Sequence, residues 1–194
     1  MAVVAIRQSG DPVLRATAEA VPAELFGSEK LRSIIADMAD TMDAEPDGVA
    51  IAAPQIGIPY RIFLVRYDRM KPPSPETSSR GGPPREEGEP VPPPDLGVFI
   101  NPTFVRLSQK SHTMDEGCLS VRGTYGKAKR KDRATVRAYD ASGKPFERGG
   151  GGILAQAFQH EIDHLNGVLF TDHAEELVKI SAKEREAHGD YDIE

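Results

Sequence analysis

The stretch ILAQAFQHEIDHLNG, Ile153 to Gly167, decides how the rest of the chain is read. Leu154, Phe158, Ile162 and Leu165 recur at spacings of four, four and three, so in a helix they form one apolar stripe that faces a core. At about 100° per residue, His160 and His164 project side by side, where two imidazoles chelate one ion. Glu161 falls between the core face and the metal face. It stands too close to His160 to be an easy ligand, but it can lean over an ion toward a bound water, which is the place of a general base. Two imidazoles do not complete a transition-metal site, so a third donor is needed.

Two residues offer one. His173 lies beyond the helix, but the extended zinc-protease signature HExxHxxGxxH is only half matched: Gly167 takes the place of its glycine, while position 170 is Phe. The chain's single cysteine, Cys118, sits in DEGCLSV, read as a glycine-flanked turn entering a strand-like run. There a thiolate would be presented at the edge of a core. The extended signature therefore fails, and because a lone buried cysteine is more often an inert small hydrophobe, spacing alone does not settle Cys118 as the third donor.

The chain has 194 residues, enough to bury a core as one domain. Lys and Arg total 24 against 30 Asp and Glu, and the formal charge of −6 argues against a general nucleic-acid or anionic-membrane surface. One cysteine forms no intrachain disulfide, in keeping with a reducing cytosol. The apolar stretch Ala2 to Ile6 is too short for a signal-peptide core and has no basic segment before it. The most apolar run, GVAIAAPQIG, contains Pro and Gln and falls short of the roughly 18 residues that cross a bilayer. A cytoplasmic protein without membrane or DNA partners is expected.

Around the central stretch, Leu31, Ile34, Ile35, Met38 and Met42 mark an amphipathic helix in SEKLRSIIADMADTMDAE. YRIFLVRYD and GVFINPTFV read as strands, and ATVRAYDASGKPFE as a hairpin turning at Asp140 to Gly143. Gly149 to Gly152 are expected to break the chain before the histidine helix. Residues 71–95, rich in Pro, Gly, Ser and charge, offer little to bury and read as a flexible insertion in the domain, either an inert excursion or a polyproline partner site. HAEELVKISAKEREAH is expected to form a last, solvated helix.

Three segments in order, GVAIAAPQ (Gly48 to Gln55), EGCLS (Glu116 to Ser120) and QHEIDH (Gln159 to His164), resemble the three motifs of peptide deformylase. GDPVLR, INP and HLNGVLF are similar to that family as well, so the resemblance covers nearly the whole chain except the 71–95 insertion. It implies an α+β fold, with short antiparallel β-sheets around a central helix bearing HExxH and EGCLS on a neighbouring strand edge. It further implies that Cys118, His160 and His164 bind a divalent metal, Fe2+ as the usual native ion, with Zn2+, Ni2+ or Co2+ able to substitute. One soft thiolate and two imidazoles suit ions from iron to zinc and leave the fourth tetrahedral position open, as catalysis requires.

The activity so implied is hydrolysis of the formyl group from the N-terminal formyl-methionine of nascent polypeptides, an N-terminal processing step of protein biosynthesis. Glu161 would take a proton from the attacking water and pass it to the departing nitrogen. The Gln55 side-chain amide and the Leu119 backbone N–H would donate to the oxygen that gathers charge. Gly48, Val49, Ala50 and Ile51 would pair with the substrate main chain as an added strand, beside Gly117. Ile153 and Ala157 would wall an apolar pocket for the methionine side chain. Asp163 is expected to pair with Arg130, which would also reach Glu116 and join the ligand-bearing segments. The ribosome near its exit tunnel is a candidate partner, and a monomer is expected.

Three positions depart from the family's usual pattern: Ala50 replaces a second glycine, Arg122 a proline, and Gln156 an arginine or apolar residue. Two rival readings stand beside this one. An HExxH endopeptidase would cleave internal peptide bonds, and an inactive deformylase-like protein would bind metal without turnover.

Overall fold

Leu31, Ile34, Met38 and Met42 are buried along one side of helix α1 (Glu29–Asp43) in a computed structural model that describes residues 2–70 and 94–180. Ser28 caps that helix by accepting from the Leu31 N–H at 3.1 Å, satisfying one of the first-turn donors. Two further regular elements follow, β1 (Ala50–Ala52) and β2 (Ile62–Arg66). Next come β3 (Leu96–Leu107), β4 (Ser111–Gly117), β5 (Thr124–Lys131), β6 (Arg133–Tyr139) and β7 (Pro145–Gly151). The histidine helix is α2 (Ile153–Leu165), and β8 (Glu175–Lys179) is the last described element.

All strand pairs are antiparallel. One sheet has the order β1-β2-β3-β6-β7 and the other the order β4-β5-β8. All five residues of β2 are buried, because both faces of the larger sheet are covered there. Phe63 and Val65 join Phe99, Val136, Phe158, Ile162 and Leu165 on the α2 side, where the rings of Phe63 and Phe99 stack at 4.5 Å. Ile62 and Leu64 join Ile51, Ile100 and the α1 stripe on the other side. Burying a side chain such as Phe158 is worth roughly 1.5–3 kcal/mol, so the apolar stripe that predicted α2 is also what fixes its two histidines in place.

Two expectations are corrected. Gly149 to Gly151 do not break the chain; they continue β7, pairing with Thr135, Ala134 and Arg133. Only Gly152, at φ 56, ends the strand and caps α2. A strand needs no side chain to keep its ladder, and at Gly150 none fits, since a Cβ would lie 2.5 Å from Leu154. The expected last helix is replaced in its described part by β8, which pairs with β5 at Thr124↔Lys179 and Tyr125↔Val178. The edge of β5 offers backbone partners that outweigh a charge pattern compatible with a helix. The rest of that helix, from 181 on, and residues 71–93 of the insertion lie outside the described residues. No helix among the described residues is long and apolar enough to cross a membrane.

Candidate metal centre

Cys118, His160 and His164 converge, each offering one donor atom, with these atoms all within 4.8 Å of one another. The convergence joins three elements. The last turns of α2 carry both imidazoles, the second sheet carries the sulfur one residue past the end of β4, and the turn after β1 lies against that sulfur. The strand thus precedes the cysteine instead of following it. Cys118 Sγ stands 3.1 Å from His164 Nε2. His160 donates through Nδ1 to Glu116 Oε1 at 2.6 Å, which fixes the tautomer and leaves Nε2 free to bind an ion.

The sulfur is kept as a thiolate. Burial pushes the Cys118 thiol up, but the imidazoles of His164 and His160 more than offset this and bring it down to about 5. The Ser120 N–H at 3.4 Å and the Gln55 side-chain amide at 3.7 Å point at the same sulfur. His160 is disfavoured as a cation by burial, yet the Cys118 thiolate and Glu116 raise it well above its ordinary value. Burial also dominates Glu161, which rises to about 7 although both imidazoles oppose the shift. Glu161 Oε2 is buried with no hydrogen-bond partner among the described residues, and so is His164 Nδ1. An orphaned carboxylate oxygen beside a thiolate and two imidazoles is costly unless a cation completes the group. The donor set therefore fits a divalent ion.

Arg130 ties the surrounding segments together through the partners expected for it, Asp163 and Glu116. Its guanidinium donates to both oxygens of Glu116, from Nε at 2.8 Å, and to Asp163 Oδ2 at 2.7 Å. Glu116 would be raised by burial, but Arg130 and His160 hold it well below the usual carboxylate range. Gln156 Nε2 adds a bond from α2 to the Asp115 carbonyl at 2.8 Å and reaches Glu116 Oε2 at 3.3 Å.

Gln55, almost fully buried, is oriented at both ends of its amide. Oε1 accepts from the Ala52 N–H at 2.7 Å, and Nε2 donates to Ser120 Oγ at 3.2 Å. The backbone around Cys118 is held by an N-terminal strap that sequence reasoning missed. Gln8 Nε2 donates to the Leu119 carbonyl at 3.0 Å, and the Ser9 N–H to the Ser120 carbonyl at 2.7 Å. No local pattern marks Gln8, since its partner is 111 residues away.

The expected substrate-binding residues divide. Gly48 is buried against α1, where a Cβ would lie 2.5 Å from the Met42 carbonyl oxygen. β1 is an edge strand. The Arg66 N–H donates to the Val49 carbonyl at 2.8 Å, so alternation turns Val49 and Ile51 toward β2 and the N–H and C=O of Ala50 toward the open edge. The Ile51 side chain is wholly buried on the α1 side and faces no cleft. Gly117 lies against the ring of Tyr125. Ile153 is 46% exposed at the start of α2, whereas Ala157 is buried one turn before His160. His173 stands apart from the cluster, 3.7 Å from Asp163.

The family model described as polypeptide deformylase matches residues 3–179. The chain belongs to the polypeptide deformylase family. It is 41% identical to the peptide deformylase of Brucella suis biovar 1 (strain 1330) over 86% of this chain and 82% of that one. It is 40% identical to that of Halothermothrix orenii over 89% and 94%. Among solved structures, the class I type b peptide deformylase from Acinetobacter baumannii with Met-Ala-Ser bound is similar at a TM-score of 0.73 and 30% identity, over 89% of this chain and all of that one. That from Thermotoga maritima is similar at 0.70 and 31%, over 90% and 99%. As a deformylase-family member, the chain is a metal-dependent hydrolase that removes the formyl group from the N-terminal formyl-methionine of polypeptides.

The departures from the deformylase pattern have local explanations. Ala50 lies in a regular strand and is absent from the residues with positive φ, so its methyl group meets no backbone demand for glycine. Arg122 forms an ion pair with Glu45 at 2.5 Å, joining the segment before Gly48 to the one after Cys118. Gln156 exchanges an apolar or cationic contact for the bonds to β4 given above.

Proposed function

We propose that Cys118, His160 and His164 hold one divalent ion, natively Fe2+, the ion usual in the family, with Zn2+, Ni2+ or Co2+ able to replace it. What carries this reading is the convergence of one sulfur and two ring nitrogens beside the buried Glu161 Oε2, which has no hydrogen-bond partner among the described residues. The ion's contribution when bound is Lewis acidity, which acidifies a water and polarises a carbonyl oxygen.

Glu161 then acts as the base and the acid. Its carboxylate takes a proton from the attacking water as the new C–O bond forms at the formyl carbon, and gives it to the nitrogen as the C–N bond breaks, releasing formate and a free amine. The Gln55 Nε2–H and the Leu119 N–H donate to the formyl oxygen as it gains charge, a contribution on the order of 3 kcal/mol. Gln55 is already oriented for this by Ala52 and Ser120. The open edge at Ala50, flanked by Gly48, Val49 and Ile51, takes the substrate main chain as an added strand beside Gly117. Ile153 and Ala157 contribute to the pocket for the methionine side chain. Main-chain pairing ignores downstream side chains, which suits an enzyme that meets many nascent chains.

The reading includes a single domain carrying its 71–95 segment as an insertion. It also includes a monomeric, cytoplasmic protein that meets its substrate near the ribosomal exit tunnel. The test is an anaerobic assay with the Fe2+-loaded protein on formyl-Met, acetyl-Met and internally blocked peptides. Formate release from the formyl peptide alone is expected. Cleavage of internal bonds would make the chain an endopeptidase, and retained iron without turnover would make it a binding protein.

A further inference from the structure

We infer that the outer face of the larger sheet, away from α2, carries a second binding site, for a ligand that presents a phosphate group. The site is an open groove of about 560 Å3 lined by Arg106, Ser108, Arg133, Ala134, Thr135, Gly149 and Gly150. Ala134, Val136 and Ala138 of β6 turn inward to the core around Phe158, so alternation sends Arg133, Thr135 and Arg137 to the opposite face.

Register along this face separates a closed ion pair from an open basic groove. Arg137 lies opposite Glu147 and donates to it at 2.6 Å. The next two outward positions of β6, Thr135 and Arg133, lie opposite Gly149 and Gly151. Arg106 flanks the groove from β3, opposite Thr135. Among the described residues, neither Arg106 nor Arg133 has a side-chain hydrogen bond or an ion-pair partner, and the Thr135 hydroxyl has no hydrogen-bond partner. The Ser108 hydroxyl donates to the Lys110 carbonyl and accepts from the Arg133 N–H, which fixes the rim.

The glycine at 149 is the second, independent observation. It lies in a regular strand without positive φ, and an added Cβ would meet only the Thr135 hydroxyl closely, at 3.2 Å. Nothing in the backbone demands glycine there, although glycine weakens a strand. An interior strand glycine often marks a bulge, a tight bend or a close approach by a ligand or another backbone, and β6 and β7 pair here without a register shift. Two guanidinium groups and the Thr135 hydroxyl lining one groove beside the glycines of β7 suit a tetrahedral oxyanion held by charge-assisted bonds.

The test is a titration of the metal-loaded protein, followed by backbone and arginine side-chain NMR shifts. The probes are inorganic phosphate, adenosine monophosphate and a dinucleotide phosphodiester, with chloride at equal ionic strength as control. Saturable shifts at Ser108, Thr135, Gly149 and Gly150 are expected. Arg106→Ala and Arg133→Ala should each weaken binding about tenfold or more, and Gly149→Val should block it while keeping both charges and formyl-Met turnover. Tighter binding of the monoester assigns a small phosphorylated ligand, and tighter binding of the diester a nucleic-acid backbone. Shifts that do not saturate, or that persist in the double arginine variant, would overturn the site.

Discussion

In the proposed centre Glu161 is the residue on which the chemistry turns, because it is buried, its Oε2 has no hydrogen-bond partner among the described residues, and it directly follows His160 in α2. Its replacement by alanine should leave the ion content unchanged and lower kcat by about 10²–10⁴-fold, the usual contribution of a positioned base. Metal analysis and formate release on the same sample check both halves, and turnover near the wild-type value would remove Glu161 from that role. The protonation states of the metal-free centre give a second expectation. His160 is raised well above its ordinary value and Glu161 to about 7, whereas Cys118 is lowered to about 5. An ion requires the neutral imidazole and lowers a nearby carboxyl, so loading at pH 7 should release protons. As pH falls through 5 the thiol takes up its proton, and affinity should drop. Calorimetry in buffers of different ionisation enthalpy reads this release; its absence would mean that His160 is neutral before the ion arrives.

At the scale of elements, Arg130 fastens β5 to Glu116 at the end of β4 and to Asp163 on α2. Breaking such a buried pair leaves a carboxylate uncompensated, so Arg130→Met should cost about 3–5 kcal/mol in chemical denaturation and weaken ion retention. The pH dependence has a definite sign. Glu116 is held below its ordinary 4.5, so its stabilisation is present above 4.5 and is lost as pH falls through the depressed value. Without Arg130 that loss should begin at higher pH. An unchanged acid limb, with ion affinity retained, would mean that the clasp is dispensable. The Arg130 clasp was legible in sequence because His160, Asp163 and Glu116 all belong to recognised motifs. The strand β5 that carries it was not. Its buried positions are Thr124, Gly126, Ala128 and Arg130, which give no apolar alternation to read. β8 was misread for the opposite reason. Its charges suit a helix, and only the tertiary edge of β5 makes it a strand.

Across the whole molecule, the larger sheet lies between α1 and α2, and both helices were legible from their apolar stripes because each buries one face. The relation between distant segments was legible only through the family motifs. Spacing places His160 beside His164, but nothing local brings Cys118 to them across 46 residues of chain, or Gln55 across 63. The strap from Gln8 and Ser9 left no sequence trace, since its bonds run largely to backbone carbonyls that any residue supplies. The long-range contacts therefore carry the function, and the most direct measurement is X-ray absorption of the metal-loaded protein. One sulfur and two nitrogen scatterers around the ion are expected, with the sulfur lost in Cys118→Ala. A shell of nitrogen and oxygen alone in the unaltered protein would contradict the proposed centre.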